Sequence, residues 1–146
     1  MIIRHMRPGD YPFLCSLWSS FPGNTMTAAD GPKGFDRFLE RNGAHCFVAE
    51  GADGKVAGSV MAGHDTRRGY VYHLAVEAAM QRGGTGRALM EAVERSLGEA
   101  GIEKIHLFIY ADNPARDFYE RIGWTWRTDI GVMSKVLKEG SEGRSP

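Results

Sequence analysis

A glycine-rich junction near the middle of the chain constrains its fold more than any other stretch. Residues 70–76 form an apolar run that reads as a strand. Gln81-Arg82-Gly83-Gly84-Thr85-Gly86 follows, and a helical pattern begins at once with Arg87 and Ala88. Glycines let a backbone approach a ligand closely, and the unpaired N–H groups that open a helix favour an anion. The helix macrodipole adds partial positive charge there, and Arg82 and Arg87 add full charges. A pyrophosphate fits such a turn.

Other readings of the junction are weaker. A P-loop needs Lys then Ser or Thr after its second glycine, and Arg87-Ala88 stands there instead. A dinucleotide fingerprint wants a third glycine three residues after Gly86, where the chain has Leu89. The strands before the turn also read as antiparallel hairpins. A nucleotide-binding protein using this turn would take ATP or NAD in place of the ligand favoured below. The plain alternative is a turn with no ligand, for which three glycines among four residues is generous.

The rest of the pattern builds one α/β (α+β) unit around that junction. Residues 2–6 read as a strand. Residues 10–19 read as a helix with Phe13, Leu14, Leu17 and Trp18 on one face. Residues 20–34 are rich in Gly, Pro and Thr and read as a long loop, a common place for a functional lid. A short helix is expected at 35–41 and a strand at 44–50. Ala52-Asp53-Gly54 is a hairpin turn into a strand at 55–63, and Thr66-Arg67-Arg68-Gly69 turns again into 70–76. Residues 87–100 make an amphipathic helix with Leu89, Ala92, Val93 and Leu97 inward, ended by Gly101. Residues 104–110 are almost continuously apolar, as in a central strand covered on both faces. Asn113 caps a helix whose first position is Pro114 and whose stop is Gly123. Residues 124–127 and 130–137 read as a last pair of strands. The expected organisation is a single domain over 1–137, a mostly antiparallel mixed sheet with helices on both faces, and a frayed tail at 138–146.

Composition narrows the function. Eighteen basic residues balance eighteen acidic ones, which argues against a general nucleic-acid binder. Cys15 and Cys46 sit in apolar company without a CxxC motif and read as buried free thiols, with no metal expected. The first residues lack a signal-peptide pattern, and no apolar run is long enough for a bilayer. A cytoplasmic protein with no membrane partner is expected.

With these residues in view, the chain resembles the GNAT acetyltransferase superfamily. Gln81-Arg82-Gly83-Gly84-Thr85-Gly86 satisfies its phosphate-loop pattern of Gln/Arg-x-x-Gly-x-Gly/Ala. Asn113-Pro114-Ala115-Arg116-Asp117-Phe118-Tyr119, running on to Gly123-Trp124, is similar to its second signature. The turn there is one residue shorter than the pattern, because Asn113 lies two residues before Ala115 and Asp112 takes the usual place. The segment Gly63-His64-Asp65-Thr66-Arg67-Arg68-Gly69 resembles the bacterial YpeA subgroup.

The resemblance implies acetyl-CoA as co-substrate and acetyl transfer to an amine by direct attack on the thioester. Backbone groups around Leu74, Ala75 and Val76 would meet the pantetheine arm. The amides of Arg82, Gly83, Gly84, Thr85, Gly86 and Arg87 would hold the pyrophosphate, with Gln81, Asn113 and Phe118 also against the cofactor. Tyr119 would protonate the departing thiolate. It also continues the Ala115, Phe118, Ile122 stripe, so a packing role stands beside the catalytic one.

The general base is open among His73, His64 and Asp65, with Glu77 also titratable. His73 is equally readable as a hydrogen-bonded sheet residue, and Asp65 as a shaper of its hairpin. Some relatives carry a strand Glu where this chain has Tyr70. A catalytically silent acyl-CoA sensor is therefore the rival reading. The acceptor, a small-molecule, peptide or protein amine, is unspecified. Many relatives dimerise through their last strands, so a homodimer is implied by resemblance alone. Trp18, Phe21, Trp124 and Trp126 are open to a pocket or a core role.

Overall fold

The computed structural model describes residues 1–21 and 26–138. Its strands are β1 (Ile2–His5), β2 (Phe47–Glu50), β3 (Val56–His64), β4 (Gly69–Val76) and β5 (Ile105–Leu107). Its helices are α1 (Tyr11–Ser19), α2 (Pro32–Asn42), α3 (Thr85–Glu99) and α4 (Arg116–Arg121). The strands lie in sequence order across one sheet. β1 to β4 pair antiparallel, and β5 alone runs parallel to β4. The mixed α/β architecture is as the patterns implied.

The helices divide between the two faces. On one face Leu14, Leu17 and Trp18 of α1 and Phe35 of α2 pack with Met61 and Ala75. On the other, Leu89, Met90, Val93 and Leu97 of α3 pack with Val60, Ala62, Val71 and Val76. Both cores meet on β3, the middle strand, where all residues but His64 are buried. Its run of small and apolar residues is the sequence mark of a doubly covered strand. At the edge, Arg4 of β1 forks onto Asp10 at 2.9 Å and reaches Glu50 at 2.6 Å, tying β1 and β2 to the start of α1. No helix among the described residues is long and apolar enough to cross a membrane.

Several expectations need correction. The strand expected over residues 104–110 is three residues long and forms the sheet's edge; Phe108 is 61% exposed. Residues 124–127 and 130–137 form no strand. Their apolar alternation joins no ladder: Ile130, Val132, Met133, Val136 and Leu137 are all exposed, although Ile130 and Val132 line a cleft beside β5. Trp124 is held instead by its indole N–H donating to Glu94 of α3, and Arg116 stacks over Trp126. Phe13 points to solvent, because Leu14, Leu17 and Trp18 alone fill the narrow buried stripe of α1. α2 starts at Pro32, earlier than expected, and a single-turn helix, Ala28–Asp30, forms within the predicted loop. β2 begins only at Phe47, after another single turn, Gly43–His45. Cys46 is buried, and burial pushes its thiol up to about 11, whereas Cys15 is only half-buried. Residues 22–25 of the predicted loop and 139–146 of the tail lie outside the described residues.

Candidate active site

A bulge in β4 sets the geometry. Between the Met61–Tyr72 and Ser59–Ala75 pairs, β3 contributes Val60 alone while β4 contributes His73 and Leu74. His73 has φ 50°, a left-handed conformation uncommon outside glycine. Such a bulge bends its strand and re-aims side chains. The ladder with β5 runs only through Gly69, Tyr70 and Val71. Beyond Val71 the two strands no longer pair, and the gap runs beside Leu74, Ala75 and Val76. The divergence also explains why β5 is short, since its neighbour bends away.

The strand then leads into the turn. The Gln81 side chain donates to the Val76 carbonyl at 2.9 Å, fastening the turn to the end of β4. Arg82 and Gly84 adopt φ 64° and 82°, so successive amides curve into a concavity of the kind that binds anions. α3 opens at Thr85, two residues earlier than the sequence pattern suggested. Its first backbone bond runs from Ala88 N–H to the Gly84 carbonyl. The amides of Thr85, Gly86 and Arg87 precede that bond and have no partner within the helix. Gln81, Arg82, Gly83, Gly84 and Arg87 are exposed, so the concavity faces solvent. The Thr85 hydroxyl is buried and donates to the Met1 sulfur, leaving only its amide to the turn. A Cβ on Gly86 would lie 3.1 Å from Phe118 Cζ, so α4 packs directly on this corner.

α4 places Tyr119. Asn113 Oδ1 accepts from the Ala115 amide at 2.9 Å, shaping the turn before α4 and not capping it as expected, because the helix starts at Arg116 with Ala115 as its N-cap. Gly123, at φ 99°, closes the helix, with Trp124 N–H reaching back to the Tyr119 carbonyl. The Tyr119 ring packs between Phe118 and Trp124. It lines a cleft of about 270 Å³ with Leu107, Phe108 and Ile109. Burial pushes its phenol up to about 12, so it keeps its proton at neutral pH.

The base candidates part company. His73 lies on the α1 face, stacked on Trp18 at 4.4 Å, and its Nε2 is 2.6 Å from Asp30 Oδ1. Trp18 Nε1 donates to Ser59 Oγ, and Ser59 Oγ in turn donates to the His73 carbonyl. His64, at the end of β3, accepts from the Thr66 amide and meets the ring of His45, which bonds Ser96 of α3. Asp65 accepts from the amides of Arg67 and Arg68 at 2.8 Å each, the Arg68 bond first among the causes that hold its carboxyl below the usual range. His64 pairs with Gly69, four residues upstream of His73, or about 13 Å along the strand. Glu77 is exposed, its amide bonded to Ala57.

Asp30 went unnoticed in the sequence. Burial pushes its carboxyl up, but hydrogen bonds from His73 and Thr27 outweigh that and hold it below the usual range. The local signal was Thr27-Ala28-Ala29-Asp30, a capping-box pattern that the structure forms. No group of three His, Cys, Asp or Glu among the described residues is placed to share a metal ion.

Comparison with known proteins accounts for this arrangement. The model of the Acetyltransferase (GNAT) family matches residues 11–124, from α1 through the end of α4. The chain belongs to the GNAT acetyltransferase family. Acetyltransferase SG1711 of Sodalis glossinidius (strain morsitans) is 31% identical over 147 residues, covering 97% of this chain and 99% of its own. Acetyltransferase ECA0875 of Pectobacterium atrosepticum is 34% identical, with the same coverage. Among solved structures, Rv2747 from Mycobacterium tuberculosis, in complex with CoA and NLQ, superposes with a TM-score of 0.72. It is 20% identical and covers 92% of this chain and 77% of its own, a likeness of fold. This acetyltransferase thus works in a family whose acetyl donor is acetyl-CoA and whose acceptors are amines.

Proposed function

We propose that this acetyltransferase moves the acetyl group of acetyl-CoA directly onto a primary or secondary amine. The observation that carries this reading is the continuous path from the β4–β5 gap into the exposed turn. In this reading Leu74, Ala75 and Val76 flank the pantetheine arm. The amides of residues 82–87 hold the pyrophosphate, Gln81 fixes the turn and Phe118 backs it. Asn113 acts by shaping the turn that leads into α4. The bound thioester supplies an activated acyl carbon and a thiolate leaving group.

The protein's own groups hold the amine near that carbon and move protons. Proximity provides much of the rate. His73 takes the proton the amine loses on forming the new bond, and Tyr119 donates to the sulfur as the C–S bond breaks. His73 is favoured over His64 and Asp65 because it sits in the β4 bulge next to Leu74, Ala75 and Val76, whereas those two lie at the far end of the β3–β4 ladder. Tyr119 packs on the α3 side of the sheet and His73 on the α1 side, with the β4–β5 gap between those faces.

The same reading extends to residues 1–137 as one catalytic domain in the cytoplasm. The 63–69 hairpin supports kinship with the bacterial YpeA subgroup. The exposed apolar side chains of Phe108, Val132, Met133 and Leu137 support a homodimer.

The test follows free thiol released from acetyl-CoA on adding amino acids, polyamines, aminoglycosides, and peptides with a free N-terminus or lysine. At least one class should drive thiol release well above background hydrolysis. Saturable acetyl-CoA binding with no release by any amine would favour the silent sensor.

A further inference from the structure

We infer that Asp30 is a positioning residue for the base, a carboxylate on the α1–α2 connection that fixes the His73 ring at the β4 bulge. The inference rests on the reading in which His73 takes the amine proton.

The carboxylate is held from its own side. Asp30 Oδ2 accepts from the Thr27 amide at 2.9 Å and lies 3.4 Å from the Thr27 hydroxyl. The Asp30 carbonyl accepts from the Tyr11 hydroxyl of α1 at 2.8 Å. With these groups anchored, Oδ1 meets His73 Nε2 at 2.6 Å, a contact at the short limit of charge-assisted bonds. The imidazole is held from the other side. Its stacking partner Trp18 is fully buried and fixed in turn by Ser59. The two side chains are only 12% and 14% exposed, so water competes weakly for the bond.

A carboxylate does what a neutral partner would not. An amide could pin the connection to the sheet equally well. Only a carboxylate also stabilises the imidazolium formed when the ring accepts a proton, while keeping one ring orientation. Because Asp30 ends the Ala28–Asp30 turn, the same bond ties that turn to the β4 bulge.

The test is Asp30→Asn, which keeps shape and hydrogen bonding but removes the charge. Expected is a kcat lower by roughly 10- to 100-fold with aliphatic amines, part of what a general base contributes. KM for acetyl-CoA should stay within about twofold, since the cofactor path is untouched. The loss should shrink with hydroxylamine, whose weakly basic nitrogen gives up its proton more readily once it bonds the acyl carbon and so needs less help from a base. Wild-type protein labelled with ¹⁵N-histidine should show a far-downfield ring proton, absent in His73→Gln. This measurement does not depend on any Asp30 variant folding.

Wild-type kcat in Asp30→Asn, or an equal loss with both kinds of amine, would leave Asp30 as a structural pin and overturn the inference. So would absence of the downfield proton. Undiminished turnover in His73→Gln would instead defeat the base assignment, whatever Asp30 does.

Discussion

Tyr119→Phe is expected to lower kcat for amine acetylation by about a hundredfold or more, the lower range for losing a proton donor, and to leave acetyl-CoA binding unchanged. The substitution removes one oxygen and keeps the ring that packs against Phe118 and Trp124. The hydroxyl has no hydrogen-bond partner among the described residues, and no buried polar side-chain atom there lacks one, so the oxygen is open to solvent. Removing it therefore orphans nothing, and stability should change by less than about 1 kcal/mol. With its phenol pushed up to about 12 by burial, Tyr119 offers a proton at any physiological pH. A thiolate developing beside it gains a hydrogen bond that the intact thioester does not need, which is how one donor accelerates a step. Steady-state kinetics with calorimetric binding check the split. Unchanged turnover would leave Tyr119 as a packing residue.

Gly84→Val is expected to weaken acetyl-CoA binding, and the double variant with Gly86→Val to carry the loss past about a hundredfold. A Cβ at Gly84 meets nothing within 4 Å, so space is not the obstacle. The backbone is: φ is 82°, and a left-handed conformation costs a substituted residue roughly 1–2 kcal/mol. If relaxing out of that conformation disperses the amides, affinity falls roughly 5- to 30-fold. Gly86→Val adds a branched side chain at the corner where Phe118 already stands 3.1 Å from the would-be Cβ. Gly98→Ala is the control, since Gly98 lies inside α3 with open space around it. It should bind acetyl-CoA normally and melt slightly higher, because alanine favours helix over glycine. Equal affinity in the double variant would remove the turn from the binding site.

What the sequence disclosed was local in origin. The turn, α3 and the 52–54 hairpin each rest on neighbouring residues whose conformational needs are written in their identities. Asn113 and Gly123 likewise bounded α4 to within two residues. The pairing across 43 positions between Asp30 and His73 was not legible, because it depends on the connection crossing the sheet. Nor was the separation of His64 from His73, which follows from strand register and sheet face. Residues 130–137 show the opposite failure. Alternation at Ile130 and Val132 signals a strand only if it ladders onto an edge, and these residues line the cleft beside β5 without pairing to it. The run at 104–110 misled for a related reason, since apolar content does not reveal that β4 bends away after Val71.

The central claim is that the junction of β4, the turn and α3 is an acetyl-CoA site. Calorimetric titration of the purified protein with acetyl-CoA, alongside CoA, ATP and NAD, tests it most directly. The account predicts saturable binding of acetyl-CoA near a micromolar dissociation constant, about −8 kcal/mol, and none of ATP or NAD. No binding of acetyl-CoA at high micromolar concentration, or equal binding of ATP or NAD, would contradict it.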